Sequence, residues 1–305
     1  MRQINIGPDT MSVAEISLGC MRIHALEPAA LDKLLDTALE VGITFFDHAD
    51  IYGGGKSETV FAASAKRLKW QRESIVLQSK CGIRKGEFDF SRQHILAAVE
   101  GSLKRLDTDF LDVLLLHRPD ALVEPAEVAE AFGILQSSGK VRAFGVSNQN
   151  PYQIELLQRT VTQKLLFNQL QFSVAFTPMI DAGMHVNMGD AAAVVRDGST
   201  LDYCRLKNIT VQAWSPFQYG FFEGAFLDNP KFPQLNAVID RIANAHDVPN
   251  TAIAVAWISR HPAHMQTIIG TTNPERVRAA ARSQEFQLSR AEWYEIYLAA
   301  GNILP

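Results

Sequence analysis

The stretch Gly42-Ile43-Thr44-Phe45-Phe46-Asp47-His48-Ala49-Asp50-Ile51-Tyr52-Gly53 places a carboxylate and a phenol close together. Both are groups whose chemistry is the holding and passing of protons. Phe45 and Phe46 suit a buried strand, so Asp47 and Tyr52 stand at its C-terminal edge. Gly53, Gly54 and Gly55 let the backbone turn away, and Ser57 is placed to cap the helix that follows. By themselves a carboxylate and a phenol at a strand end are either structural or catalytic. Their partners elsewhere in the chain decide which.

Further apolar runs end in polar or aromatic groups. Residues 74–80 end in Lys80 and 112–117 in His117, while 141–146 run into Ser147 and Asn148. Residues 165–169 end in Gln169, 209–213 run into Trp214 and Ser215, and 265–269 into Gly270, Thr271 and Thr272. A single histidine at a strand end is more often structural than catalytic, and a buried lysine facing a carboxylate serves equally as an ion pair. A whole series of such ends is harder to read as packing. A metal site of His48, Asp50 and His117 is a weaker reading. His48 and Asp50 can share one face of an extended strand, but no second histidine cluster follows, so no metal is expected.

These ends act together only if the chain brings them to one place. Residues 2–13 read as a small hairpin around Gly7-Pro8-Asp9, and Ile16 to Gly19 is a first strand. Helical spacing follows in Leu31, Leu34, Leu35, Ala38 and Leu39, and again in Ile95, Leu96, Val99, Leu103 and Leu106. Pro125, Asn150-Pro151 and Asn273-Pro274 mark helix starts, and Ser289-Arg290-Ala291-Glu292 is a capping box. Residues 173–198 and 216–232 show no clear period, and loops of that length are often functional. Strands rich in Val, Leu and Ile without alternation suit a parallel sheet buried on both faces. Strand–helix alternation repeated eight times predicts an α/β fold. The expected architecture is a (β/α)8 TIM barrel with a short N-terminal β-hairpin and two extra helices, a single domain over 1–305. An open doubly wound sheet is the alternative, but its Gly-x-Gly-x-x-Gly fingerprint is absent. In a barrel the C-terminal strand ends converge on one face.

The chain carries 29 Lys and Arg against 33 Asp and Glu, with the basic residues scattered. Neither nucleic acid nor an anionic membrane is an expected partner. Cys20, Cys81 and Cys204 are far apart and lack metal spacing, as reduced intracellular cysteines do. The N-terminus lacks a continuous apolar core for export, and no later stretch approaches ~20 uninterrupted apolar residues. A soluble cytoplasmic protein is expected.

Taken together, Gly-x-x-x-Phe-Asp-x-Ala-x-x-Tyr-Gly at 42–53, Ser-Lys at 79–80, Leu-Leu-His-Arg-Pro-Asp at 115–120, Gly-Val-Ser-Asn at 145–148 and Asn-Gln at 168–169 resemble the aldo-keto reductases. Leu-Gln-Ser-Lys-Cys-Gly and Asn-Gln-Leu-Gln-Phe-Ser further resemble a bacterial, YdhF-like oxidoreductase branch of that family. The resemblance implies hydride transfer from NADPH, with NADH possible, to a small-molecule aldehyde or ketone. It also implies Asp47, Tyr52, Lys80 and His117 as the catalytic set. Tyr52 would protonate the carbonyl oxygen, but a free phenol of pKa ~10 is a poor acid at neutral pH. Lys80 is therefore expected to lower that pKa, Asp47 to keep Lys80 charged and placed, and neutral His117 to orient the carbonyl.

For the cofactor, the resemblance assigns Ser147, Asn148 and Gln169 to the carboxamide and Trp214 to the nicotinamide face, with Asp47 nearby. Met21 and Arg22 fall near the ribose, and Ser215, Pro216 and Phe217 along the pyrophosphate. Gly270, Thr271, Thr272, Arg276 and Ala280 fall at the adenosine end. Many relatives carry Lys or Arg where Gly270 stands, and Glu and Asn where Ala279 and Ala280 stand; Arg276 favours NADPH over NADH. Loops 117–124 and 173–198 and the tail 299–305 are expected to line the substrate pocket, with Met21, Phe88, Met179 and Met184. The alternative is a nicotinamide-binding regulatory subunit with little turnover, as in relatives attached to potassium channels.

Overall fold

A computed structural model describes residues 1–7 and 11–304. Strands β1 (Gln3–Ile6) and β2 (Met11–Ala14) pair antiparallel as the expected hairpin, whose turn at Pro8-Asp9 lies outside the described residues. The barrel begins with β3 (Ile16–Gly19), β4 (Phe45–Asp47) and β5 (Val76–Cys81). A second small hairpin, β6 (Ile83–Arg84) with β7 (Glu87–Phe88), interrupts it. It continues through β8 (Leu111–Leu116), β9 (Val141–Ser147), β10 (Leu165–Gln171), β11 (Thr210–Trp214) and β12 (Gln266–Ile269). These eight strands are parallel, follow chain order, and close when β12 pairs with β3. The (β/α)8 barrel expected from the alternation is the fold.

Helices α1 (Pro28–Glu40), α2 (Lys56–Arg67), α3 (Arg92–Leu106), α4 (Pro125–Ser137) and α5 (Pro151–Gln158) return the chain between strands. So do α6 (Pro178–Met184), α7 (Thr200–Lys207), α8 (Pro233–Ala245), α9 (Asn250–Ser259) and α10 (Pro274–Ala281), before a terminal α11 (Arg290–Ala299). Proline opens several of them, because the first-turn N–H it lacks has no helical partner anyway. Asn150 and Ser289 make reciprocal capping boxes, and Asn273 caps α10. Two expectations are corrected here. Ser57 lies inside α2, whose N-cap is left-handed Gly55, and its hydroxyl ties the helix to the Met21 carbonyl. The stretch read as irregular at 173–198 contains α6. None of the helices of the described residues is long and apolar enough to cross a membrane.

Alternation along each strand sorts the interior from the helix layer. Leu77, Leu114, Leu116, Phe144, Val146 and Val211 join the main core between strands and helices. Phe45, Val113, Leu115, Ala143 and Phe167 form a separate cluster inside the barrel, where Ile4, Ile6 and Val13 of the hairpin pack on them. The hairpin thus plugs the N-terminal end. Further along the same inward rows the residues become polar: Asp47 follows Phe45, and Gln169 follows Phe167. The chemistry is therefore carried on an apolar floor, at the opposite end from the plug.

Candidate active site

Lys80 is fully buried, and each of its three ammonium protons has an acceptor. Its Nζ lies 2.7 Å from Asp47 Oδ1, donates to the His48 carbonyl at 2.7 Å and to Tyr52 Oη at 3.1 Å. Burial alone would lower its pKa, but Asp47 and Tyr52 outweigh it and hold the lysine above its ordinary value. Tyr52 reaches this position from a tight turn in which Gly53, Gly54 and Gly55 all have positive φ. At Gly53 a Cβ would come within 2.6 Å of the His24 ring, so the turn requires glycine on two counts.

Burial pushes the Tyr52 phenol above its ordinary pKa, and Lys80 pulls it back without reversing the direction. The expected lowering is thus corrected: loss of water around the phenolate outweighs the attraction of the ammonium. His117 follows β8, with its ring edge-on to Tyr52 at a centroid distance of 6.0 Å. Burial, then Lys80 and Arg118, push it well below the usual histidine range, so the imidazole is neutral and keeps one N–H donor.

Beneath these groups lies a layer of buried amides. Asp47 Oδ1 accepts from Gln78 Nε2 at 2.6 Å and from Gln169 Nε2 at 3.1 Å. Gln212 Oε1 accepts from both of those amides, and its Nε2 donates to Gln78 Oε1 and to Gln266 Oε1. Gln266 closes the chain on the Ala14 carbonyl at 2.7 Å. The amide nitrogens of Gln78, Gln169 and Gln212 each donate to two acceptors of the layer, so the orientation of each amide is set by its neighbours. Gln78, Gln212 and Gln266 were missed as site residues, although a signal existed. They stand two residues before Lys80, Trp214 and Ile268, on the same inward row.

A cavity of about 760 Å³ opens at the C-terminal strand ends. Met21, Arg22, Asp47, Tyr52, His117, Ser147, Asn148 and Gln169 line it, as do Trp214, Ser215, Pro216, Phe217, Gly270, Thr271, Thr272 and Arg276. Lys80 lies just below the surface, reached through Tyr52. Ala280 is not brought there: it is fully buried in the core, on the inward face of α10 with Val277. Asn148 and Ser215, at the ends of β9 and β11, both hold left-handed backbone, with φ of 56° and 54°. Strain of this kind is tolerated where position matters. Asn148 Nδ2 donates to Ser147 Oγ at 2.7 Å, and Ser147 Oγ to the Gln169 carbonyl at 3.0 Å.

The substrate-side wall differs from expectation. Phe88 is exposed on β7, and Met179 and Met184 pack from α6 against the core. His185 bonds the Ile303 carbonyl, and Tyr297 donates to Asp181, so the 173–198 stretch and the tail hold one another away from the cavity. Met21 and the start of the 117–124 loop, His117 and Arg118, do line the cavity as expected, and the rest of the wall is made by Ile83 and the loop after β11, including Phe221 and Phe222. These two rings lie 6.2 and 6.1 Å from Trp214. The 216–232 stretch is irregular, as its lack of period predicts, and its phenylalanines are the signal for this wall.

A nicotinamide dinucleotide fits this lining on the structure's own terms. The indole N–H of Trp214 is buried without a partner, and the Gln169 amide nitrogen is committed below, leaving its oxygen to face the cavity. The sequence profile of the Aldo/keto reductase family matches residues 15–298. The chain belongs to the aldo/keto reductase family. It is 34% identical to a 6-dehydroglucose reductase of Agrobacterium fabrum (strain C58), over 96% of each chain. It is also 34% identical to oxidoreductase YdhF of Escherichia coli (strain K12), over 98% of each. In fold it resembles the thermostable aldo-keto reductase Tm1743, solved with the inhibitor epalrestat, with a TM-score of 0.79 at 23% identity, covering 98% of this chain and 100% of that one. As an aldo-keto reductase the chain is an oxidoreductase, and the YdhF-like branch expected from its motifs is the one it matches.

Proposed function

We propose that this aldo-keto reductase reduces an aldehyde or ketone with NADPH, and that Tyr52 donates the proton. The reading is carried by the Tyr52 hydroxyl, set at the cavity 3.1 Å from a buried ammonium that Asp47 clamps at 2.7 Å. A bound nicotinamide supplies hydride to the carbonyl carbon; the chain's own residues manage the oxygen. As charge grows on that oxygen, neutral His117 offers its N–H and Tyr52 its O–H. The raised pKa keeps Tyr52 protonated at neutral pH, and an alkoxide is a stronger base than a phenolate, so the proton moves toward the substrate. Lys80 then faces the phenolate left behind, in a site of low dielectric where opposite charges attract strongly. Asp47 keeps that ammonium charged and fixed.

Ser147, Asn148 and Gln169 serve the carboxamide, and Trp214 gives the ring a flat face. Exposed Arg276, in the first turn of α10, offers a cation beside the helix N-terminus for a 2′-phosphate, which favours NADPH over NADH. Three buried, unpaired cysteines support a cytoplasmic enzyme, and we read residues 1–305 as one domain. The test follows NADPH oxidation across a panel of aldehydes and ketones, repeated with Tyr52→Phe. Full activity in the variant sinks the proton-donor role. Tight NADPH binding with no turnover on any substrate replaces the reading with that of a regulatory subunit. Fluorescence titration with both cofactors reverses the assignment if NADH binds more tightly.

A further inference from the structure

Arg118, the residue after His117, is a cavity cation that the reduction chemistry leaves unused. Its head is half-buried, near enough to the reacting groups that its charge acts on His117 and the Tyr52 oxygen acts on it. Burial pushes its pKa down, and among the described residues no carboxylate offsets that loss. Its Cζ lies 5.7 Å from the Trp214 ring centroid and 5.8 Å from that of Phe221. Such contacts hold a guanidinium in place without using its N–H groups. Five donors in a partly dry wall are costly until something accepts from them.

The other cavity cations are placed differently. Lys80 is saturated by Asp47, His48 and Tyr52. Arg22 and Arg276 are exposed, and they follow β3 and β12 on the side given to the cofactor. Arg118 follows β8, beside His117, where the carbonyl must sit. The missing acceptor therefore belongs to the substrate.

We propose that Arg118 determines specificity by binding a carboxylate carried by the carbonyl substrate, so that the enzyme prefers oxo acids to neutral carbonyl compounds. The inference rests on the reductase reading above. A planar guanidinium meets a carboxylate through two parallel N–H···O bonds, and the Trp214 and Phe221 rings flank it without using its donors. Asp47 neutralises Lys80, so the charge of Arg118 is the one left uncompensated at this end of the cavity among the described residues, and it favours an anion over its neutral analogue.

The experiment compares 2-, 3- and 4-carboxybenzaldehyde with their methyl esters under saturating NADPH. The ratio of acid to ester kcat/KM is the readout, in the wild type and in Arg118→Met and Arg118→Lys. At least one acid should be preferred by about tenfold or more, as expected for a charged hydrogen-bonded pair, and Arg118→Met should abolish that preference. Arg118→Lys, a point charge without the fork, should retain part of it. A residue that only props the aromatic loop would lower acid and ester together and leave the ratio unchanged, which overturns the proposal. Preference for every ester overturns it as well. Binding is read separately by calorimetry, with benzoate and benzamide titrated into the NADPH-loaded protein. If no aldehyde is turned over but benzoate binds and Arg118→Met abolishes it, the reductase reading fails and the anion site stands. Benzoate binding indifferent to the substitution overturns the site.

Discussion

On the β4–β5 side of the cavity the polar atoms of Asp47, Gln78 and Lys80 are bonded to one another or to their neighbours before any ligand arrives. Asp47 takes Lys80 and two amides, and Lys80 takes three acceptors, all out of water. Across the mouth, the loop after β11 is built the other way. Trp214 keeps a buried N–H without a partner, Phe221 and Phe222 are exposed, and the Arg118 guanidinium lies against the Trp214 and Phe221 rings. The first side is preorganised, so its geometry costs nothing at the moment of reaction. The second is unfinished and is completed by what binds. A change on the first side should therefore strike turnover and stability, and a change on the second should strike binding.

The sharpest break in that contrast comes from Tyr52→Phe. It removes the transferable proton while leaving the ring in place, so kcat should fall ~10²–10⁴-fold with little change in melting temperature. NADPH oxidation and a thermal melt on the same sample check both halves. Close behind comes Lys80→Met, which leaves Asp47 buried without its counter-charge and should destabilise the fold by about 3–5 kcal/mol. Phe222→Ala, at the exposed lip of the substrate-side wall, should stay within ~0.5 kcal/mol and raise the KM for the carbonyl substrate instead. Urea denaturation of the two variants side by side measures the difference. Equal losses would erase the distinction between the two sides.

One carboxylate on the paired side has no such partner. Asp50 has a buried Oδ1 without a hydrogen bond, near Glu58, which is itself held by Ser79 and Arg105. Burial, then the Glu58 charge, raise its pKa from the ordinary carboxylate value to about 7. Between about pH 4 and 7 the native protein keeps a proton that the unfolded chain has lost. This group's contribution to stability therefore falls as pH rises through that window, by up to about 1.4 kcal/mol per unit, and is least favourable above pH 7. Asp50→Asn should flatten that slope and leave the protein more stable at pH 8 than the wild type. Urea midpoints at a series of pH values test it.

The row of strand ends was legible because it needs only continuous apolar runs that change from apolar to polar at a shared height. Asp47, Lys80, His117, Gln169 and Trp214 were found that way, and the structure brings them together. What escaped depends on quantities that a single strand does not carry. The direction of the Tyr52 shift is a contest between burial and a neighbouring charge, and its outcome is tertiary. Arg118 lies past the end of β8, where no period governs the side chain. Ala280 is a different miss: Val277, three residues earlier, already marked that face of α10 as inward.

Gln212 tests whether the paired side extends below the groups that react. It makes four hydrogen bonds to three other glutamines, and two of those glutamines donate to Asp47. Replacing it with Leu leaves amide groups of Gln78, Gln169 and Gln266 facing a side chain that can neither donate nor accept. The expected cost is about 1–3 kcal/mol of stability, from desolvated groups left unpaired. If the amide layer also positions Asp47, the loss does not stop at stability. Asp47 would shift, Lys80 with it, and kcat and its pH profile would change with KM for NADPH held nearly constant. Gln212→Glu adds a charge beneath Asp47 and should distort the profile further than Leu does, since like charges at close range disfavour one another's ionisation. A destabilised Gln212→Leu enzyme with an unaltered pH profile would confine the preorganised region to Asp47, Lys80 and Tyr52, and would make the amide layer packing alone.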